Sequence, residues 1–493
     1  MEAIPYRASI GVRDCCDFMV YCAAMPWHIA MSPEAGHPDV RLNAFHSLAG
    51  GMMYCLRHTA EKYEGQIMVG AIVVIFMVAY ALIALEHPIK INKGASALLG
   101  AGLLWTVYAM LTGDHTLVEP QLRESVGTTA GIVFFLIGAM TIVEVIDAHN
   151  GFEVITSQIR TRKQTTLIWI VCFVTFFLSA VLDNLTTTIV MISLMKKLSG
   201  SQSDRLFFAA MIVIAANAGG AWSVIGDVTT TMLWIGGQIT PLPIIKGVFL
   251  PSLINLLLPL FVVSYLLKGK AIAPPSNRET SDTPVNMFER NLIFYLGLGL
   301  LIAVPAFKTI TLLPPFMGIL FGLGILWVVG ELIHRDKGPD EKKPLTLVHA
   351  LKQIDMASIV FFIGILLAVA TLEHAHVLEM LAKWLDRSVG RQDVIVVLLG
   401  LLSAIVDNVP LVAASMGMYS LAQYPPDSFL WEFIAYCAGT GGSILIIGSA
   451  AGVAAMGLEQ IHFFWYVKRI SGLALLGYFG GSAAYIVQFS ALH

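Results

Sequence analysis

The sequence predicts an all-α polytopic membrane protein built from two copies of one helical unit. Three observations carry this. Of 493 residues, 57% are hydrophobic and only 13% are charged, with a mean hydropathy of +0.76. Soluble domains carry about 25% charged residues, so the composition points to a chain that lives largely in lipid. Apolar windows near the roughly 20 residues needed to cross a bilayer recur along the chain. The phrase Ser-Ala-x-x-Asp-Asn occurs twice, at Ser179–Asn184 and Ser403–Asn408, 224 residues apart and inside a long apolar run each time.

Composition also excludes some functions. A net charge of −3 with no basic tract gives nucleic acid nothing to bind. The cysteines at 15, 16, 22, 55, 172 and 437 have neither metal-ligand spacing nor a disulfide framework. No motif for a cofactor is present, so none is expected.

Residues 1–65 mix His, Pro, Cys and charges, and no window reaches spanning length, so they read as a poorly ordered extension outside the membrane fold. The first repeat then occupies 66–268, with spans at about 66–85, 96–111, 126–146, 205–238 and 246–268. A polar linker with three prolines, 269–290, separates it from a second repeat over 291–493. There the spans fall at about 291–306, 312–334, 356–372, 430–456 and 463–489. The motif-bearing stretches are about 166–198 and 393–420. The halves echo each other further. Phe134–His149 matches Phe361–His376 at an offset of 227, and Gly219, Gly220 and Gly226 match Gly441, Gly442 and Gly448 at an offset of 222. Such duplication is the signature of repeat-built transporters with discontinuous helices at the midplane.

The positive-inside rule decides how the motif stretches sit. If both are re-entrant hairpins, 19 of the 25 Lys and Arg beyond residue 65 fall on one side; if both cross fully, the division is 13 to 12. The hairpin arrangement is therefore expected. Each half then has five spans and one hairpin, which inverts the second copy, makes the linker cytoplasmic and brings the two Asp-Asn tips together at the midplane.

A carboxylate at that depth costs roughly 2.5–3.5 kcal/mol by insertion measurements, so Asp183 and Asp407 read as functional. Ser179 and Ser403 stand four residues before them, and Thr186 and Thr187 follow Asp183 within one turn. Carboxylate, amide and hydroxyl oxygens are hard ligands suited to Na+ or Li+. The alternative for the serines, and for Asn184 and Asn408, is that they bond the local backbone at helix breaks. The glycine break of the first half reads Asn217-Ala-Gly219-Gly220-Ala-Trp-Ser-Val-Ile-Gly226-Asp227-Val-Thr229-Thr230. Asp227 is either a third carboxylate of the site or an N-cap for the helix that follows. In the second half Ser449 stands where Asp227 does, with Ser443 just after the glycines, so the site should be asymmetric in charge. Histidines at span ends, His87, His149, His374 and His376, read as interfacial residues.

The phrases LDNLTTTIVM, NAGGAWSVIGDVTTTMLW and SAIVDNVPLVAASMGMY resemble those of the NhaD-type sodium/proton antiporters of the ion transporter superfamily, over essentially residues 66–490. The resemblance implies inverted repeats with re-entrant hairpins. It also implies cation and proton exchange at Ser179, Asp183, Asn184, Asn217, Asp227, Thr229, Thr230, Ser403, Asp407, Asn408 and Ser443. Val224 departs from it, standing where most relatives have proline. The expectation is a secondary antiporter, not an enzyme. It would export Na+ (or Li+) against inward H+ from a bacterial or organellar inner or plasma membrane, with the transported ions and lipid as its partners. A homodimer is compatible with the sequence. Carriers of dicarboxylates, citrate or arsenite are the nearest alternative, but an aspartate at each tip would repel an anion. An intramembrane aspartyl protease also needs two membrane aspartates, yet the Gly-x-Gly-Asp arrangement is missing.

Overall fold

The computed structural model describes residues 67–112, 115–156, 161, 163–269 and 285–492. The expected extension 1–65 and most of the linker 269–290 lie outside them. Among the described residues the chain is helical with no β-sheet, and nine helices are long and apolar enough to cross a membrane.

The first half runs α1 (Ile67–Ala84), α2 (Lys93–Thr112), α3 (His115–Ala148), α4 (Gln164–Leu182), α5 (Asn184–Leu198), α6 (Gln202–Gly220), α7 (Val228–Ile235) and α8 (Pro241–Leu266). The second runs α9 (Met287–Thr311), α10 (Pro315–Ile333), α11 (Met356–His374), α12 (Val377–Ser388), α13 (Gln392–Leu402), α14 (Asn408–Met418), α15 (Phe429–Gly441), α16 (Ala450–Glu459) and α17 (Phe463–Ala491). Local chemistry sets several boundaries. Ser201 Oγ accepts from the Asp204 amide to open α6, and Asp355 Oδ1 accepts from the Ser358 amide to open α11. Pro241 occupies the first turn of α8, where its missing N–H costs nothing.

The stretches expected at 205–238 and 430–456 each form two helices with a non-helical break, α6/α7 and α15/α16. The motif stretches break likewise, α4/α5 at Asp183 and α13/α14 over residues 403–407. Both arms α4 and α5 pack on α6 and on each other, and α13 and α14 both pack on α15. Every residue of α6 from Phe208 to Gly220, and of α15 from Leu430 to Gly441, is buried. A helix apolar on all sides belongs inside a bundle, and these two form the centre that the rest wraps.

Two elements differ from expectation. Helix α3 starts well before residue 126, because its first turns, HTLVEPQLRE, carry charges that hid them from a search for apolar runs. Helix α12 was not expected at all. It is amphipathic, burying Leu378 and Ala382 while Glu379 and Lys383 face outward as an i,i+4 ion pair.

The glycines of the two breaks work by close approach. None of Gly219, Gly220, Gly226, Gly441, Gly442 and Gly448 has a positive φ. A Cβ on Gly219 would overlap the carbonyl oxygen of Phe176, and one on Gly441 would overlap that of Gly400. Small residues at such crossings let helix backbones touch inside a membrane bundle.

Candidate functional site

Four helices begin at the centre of the molecule, α5, α7, α14 and α16, and each is opened by a polar side chain. Asp183 Oδ1 accepts from the Thr186 amide at 2.8 Å, and Asp227 Oδ1 from the Thr229 amide at 2.9 Å. Asp407 Oδ1 accepts from the Val409 amide at 3.3 Å, and Ser449 Oγ from the Gly452 amide at 3.2 Å. A side-chain oxygen there satisfies an orphan donor, and a carboxylate also meets the positive end of the helix dipole. Three of the four caps are therefore negative and one is neutral.

Asp227 lies between the two Asp-Asn breaks. Its Oδ2 accepts from Asn184 Nδ2 at 2.5 Å and from Asn408 Nδ2 at 3.5 Å, so both Asp-Asn tips reach one carboxylate. Asn184 Nδ2 also donates to Asn217 Oδ1 at 3.0 Å, and Asn217 Nδ2 donates to Ser443 Oγ and Ser449 Oγ, each at 2.9 Å. Thr229 Oγ1 donates to Asp227 Oδ1 at 2.9 Å and Thr230 Oγ1 to the Asp227 carbonyl at 3.0 Å. Asp227 thus caps α7 and joins the cluster at once.

The serines sit elsewhere. Ser179 Oγ donates to the Ala216 carbonyl at 2.6 Å and Ser403 Oγ to the Ala438 carbonyl at 2.9 Å. These equivalent bonds tie each broken motif stretch to the interrupted helix of its own half, which is the backbone-bonding alternative. Thr186 Oγ1 donates to Asp183 Oδ2 at 2.8 Å. Thr187 is buried on α5 with its hydroxyl unpartnered among the described residues.

Asp183 occupies a strained backbone, φ 87° and ψ 158°, a region that only glycine visits freely. Together with Asn184 and Asp227 it lines a cavity of about 50 Å³ whose other walls include Phe135, Met140, Ser358 and Phe362. Among the described residues neither Asp183 nor Asp227 has a basic partner within ion-pair distance.

One residue of the cluster was missed by the sequence. Lys93, in the first turn of α2, places Nζ 2.9 Å from Asp407 Oδ2 and 4.4 Å from the centre of the Phe361 ring. A lysine opening an apolar span normally reads as an interfacial anchor, and nothing local distinguishes this one. Further out, His149 Nε2 lies 2.8 Å from His334 Nε2, joining the ends of α3 and α10.

Comparison with known proteins gives a consistent set of relatives. The family model described as "Citrate transporter" matches residues 80–439. The chain is 48% identical to "Sodium/proton antiporter 1" of Arabidopsis thaliana over 84% of its own length and 72% of the relative's. It is 46% identical to "Sodium/proton antiporter 2" of the same plant, over 84% of the chain and 98% of the relative. To "Na(+)/H(+) antiporter NhaD" of Vibrio cholerae it is 30% identical, over 83% and 89%.

Proposed function

The chain belongs to the citrate-transporter family and, within it, to the sodium/proton antiporters, and on that premise we propose that Na+ and H+ compete for carboxylates within the cluster of Asp183, Asp227 and Asp407. The protein is a multi-pass membrane transporter and not an enzyme. The observation that supports this placement of the site is the convergence of Asn184 and Asn408, one from each hairpin tip, on the single carboxylate of Asp227. A cation entering the cavity would meet carboxylate oxygens of Asp183 and Asp227 and the amide oxygen of Asn184, a hard donor set. With a proton in place of the cation the same groups are neutralised. The site therefore crosses loaded with one or the other, and the exchange is obligatory.

In this reading Thr186, Thr229 and Thr230 hold the aspartates in position, Ser443 and Ser449 orient Asn217, and Ser179 and Ser403 brace the hairpins. The two halves are inverted copies, and alternating access moves the hairpins and interrupted helices against the remaining spans. In a bacterial or organellar inner or plasma membrane, with the linker cytoplasmic, the result is export of Na+ or Li+ driven by inward H+.

The family model is named for citrate carriers, yet a citrate trianion would face three carboxylates and a single ammonium at this centre. Like charges at such range in a low-dielectric site are strongly unfavourable. The test is collapse of a preformed ΔpH in everted vesicles, scanned over Na+, Li+, K+ and citrate at several pH values. The reading predicts collapse by Na+ and Li+ and none by citrate. Collapse by citrate alone would replace it with the anion carrier.

A further inference from the structure

The two hairpins carry the same phrase but differ in electrostatics. Asp407 is held by Lys93 at 2.9 Å, with the pair 22% and 15% exposed at their side chains. The ammonium is sandwiched between that carboxylate and the face of Phe361, 4.4 Å from the ring centre. The Lys93 amide is itself fixed by Glu86 Oε1 at 3.1 Å, so the first turn of α2 is anchored where the ammonium must stand. Asp183 has no such partner among the described residues. The reason is legible in the chain, because the second span of the other half, α10, opens Leu313-Pro314-Pro315 and has no basic residue in its first turn. The cavity repeats the asymmetry, since Asp183 and Asp227 line it while Asp407 and Lys93 do not.

Building on the antiport reading, we infer that Lys93 is a built-in cation that occupies Asp407, so that Asp183 and Asp227 are the pair open to the transported ion and Asp407 acts through its lysine. Lys93 is then a positioning and charge-setting residue. It holds the second hairpin tip, brings Asn408 to Asp227, and keeps one of three carboxylates from recruiting Na+. The ammonium can do this because a tethered charge beside its carboxylate outcompetes a dilute ion, and desolvated Lys–aromatic contact adds to its hold.

The inference is tested in proteoliposomes of purified protein by measuring Na+-driven proton movement for wild type, Lys93→Met, Lys93→Arg, Asp407→Asn and the double variant Lys93→Met/Asp407→Asn. Each variant's thermal melt in detergent is recorded as well. Asp407→Asn strands a partly buried ammonium and should slow exchange by at least about tenfold. Lys93→Met exposes a third carboxylate and should shift the half-saturating Na+ concentration downward severalfold, a change that loss of packing alone would not produce. Lys93→Arg should restore the wild-type half-saturation. The double variant carries neither stranded charge, and should exchange at least about tenfold faster than Asp407→Asn alone. A double variant as slow as Asp407→Asn would make Asp407 a direct ion ligand and overturn the inference, as would a Lys93→Met half-saturation equal to wild type. If Lys93→Met fails to fold, the comparison of the double variant with Asp407→Asn decides. If wild type itself moves no protons with Na+, the antiport reading falls; the pair is then judged by whether the Lys93 and Asp407 effects on the melt are non-additive.

Discussion

At the scale of single residues, Asp227 is the group on which the site turns. It caps α7 and accepts from both asparagine tips, so charge and shape can be separated there. Asparagine caps helices as well as aspartate does, so Asp227→Asn keeps the cap of α7 while losing the carboxylate. Its amide Nδ2 would then face the Nδ2 of Asn184, so the expected outcome is a folded protein with a somewhat lowered melting temperature and no Na+-dependent collapse of ΔpH. Asn184 is bonded to Asp227 at 2.5 Å and Asn408 at 3.5 Å. Asn184→Ala should therefore slow exchange more than Asn408→Ala, and equal losses would argue against the asymmetry. The serines make a contrast. Ser179→Ala removes one backbone-directed bond, about 1 kcal/mol, and should lower the melting temperature slightly while exchange continues. Abolition of exchange by Ser179→Ala would place that hydroxyl in the ion path after all.

At the scale of elements, the four broken helices depend on backbone contact. Gly219→Ala should prevent α6 from seating on α4, because the added methyl meets the Phe176 carbonyl, which cannot move without unwinding α4. Overpacking of this kind costs typically 1–3 kcal/mol or more, so a clear drop in detergent melting temperature is expected. Gly457→Ala, whose methyl would meet nothing within 4 Å, is the control and should melt as wild type. Much of this was legible from the sequence. An aspartate amid apolar residues, a repeated phrase and repeated glycine spacing located all four breaks. What could not be read was direction. Ser179 and Ser403 share a helical face with the aspartates by spacing, yet their hydroxyls turn to the neighbouring helix, and only the packing of α6 and α15 determines that. Lys93 was hidden for a similar reason, since its partner lies 314 residues away and its own surroundings look like any span end.

At the scale of the whole molecule, the charge distribution predicts sidedness. With both motif stretches as hairpins, Lys342 and Lys352 fall on the cytoplasmic side and Lys383 and Arg387 on the opposite one. In a background without native cysteines, Lys342→Cys should react with an impermeant maleimide only in everted vesicles and Arg387→Cys only in right-side-out ones. Labelling of both from one side would contradict the sidedness that the charge distribution assigns across α11. Composition and spacing made the membrane class readable, because lipid demands long apolar helices, and the repeated phrases marked where helices break. The amphipathic α12 and the charged opening of α3 escaped because they lie where water, not lipid, meets the chain.

The central claim is that sodium and protons compete for one set of carboxylates around Asp227. The most direct measurement is the half-saturating Na+ concentration for exchange in proteoliposomes, taken across a range of pH on the Na+ side, for wild type and Asp227→Asn. Competition predicts that wild type needs more Na+ as the proton concentration rises, and that Asp227→Asn shows no exchange at any pH. A half-saturating concentration that does not change with pH, or exchange persisting in Asp227→Asn, would contradict the account.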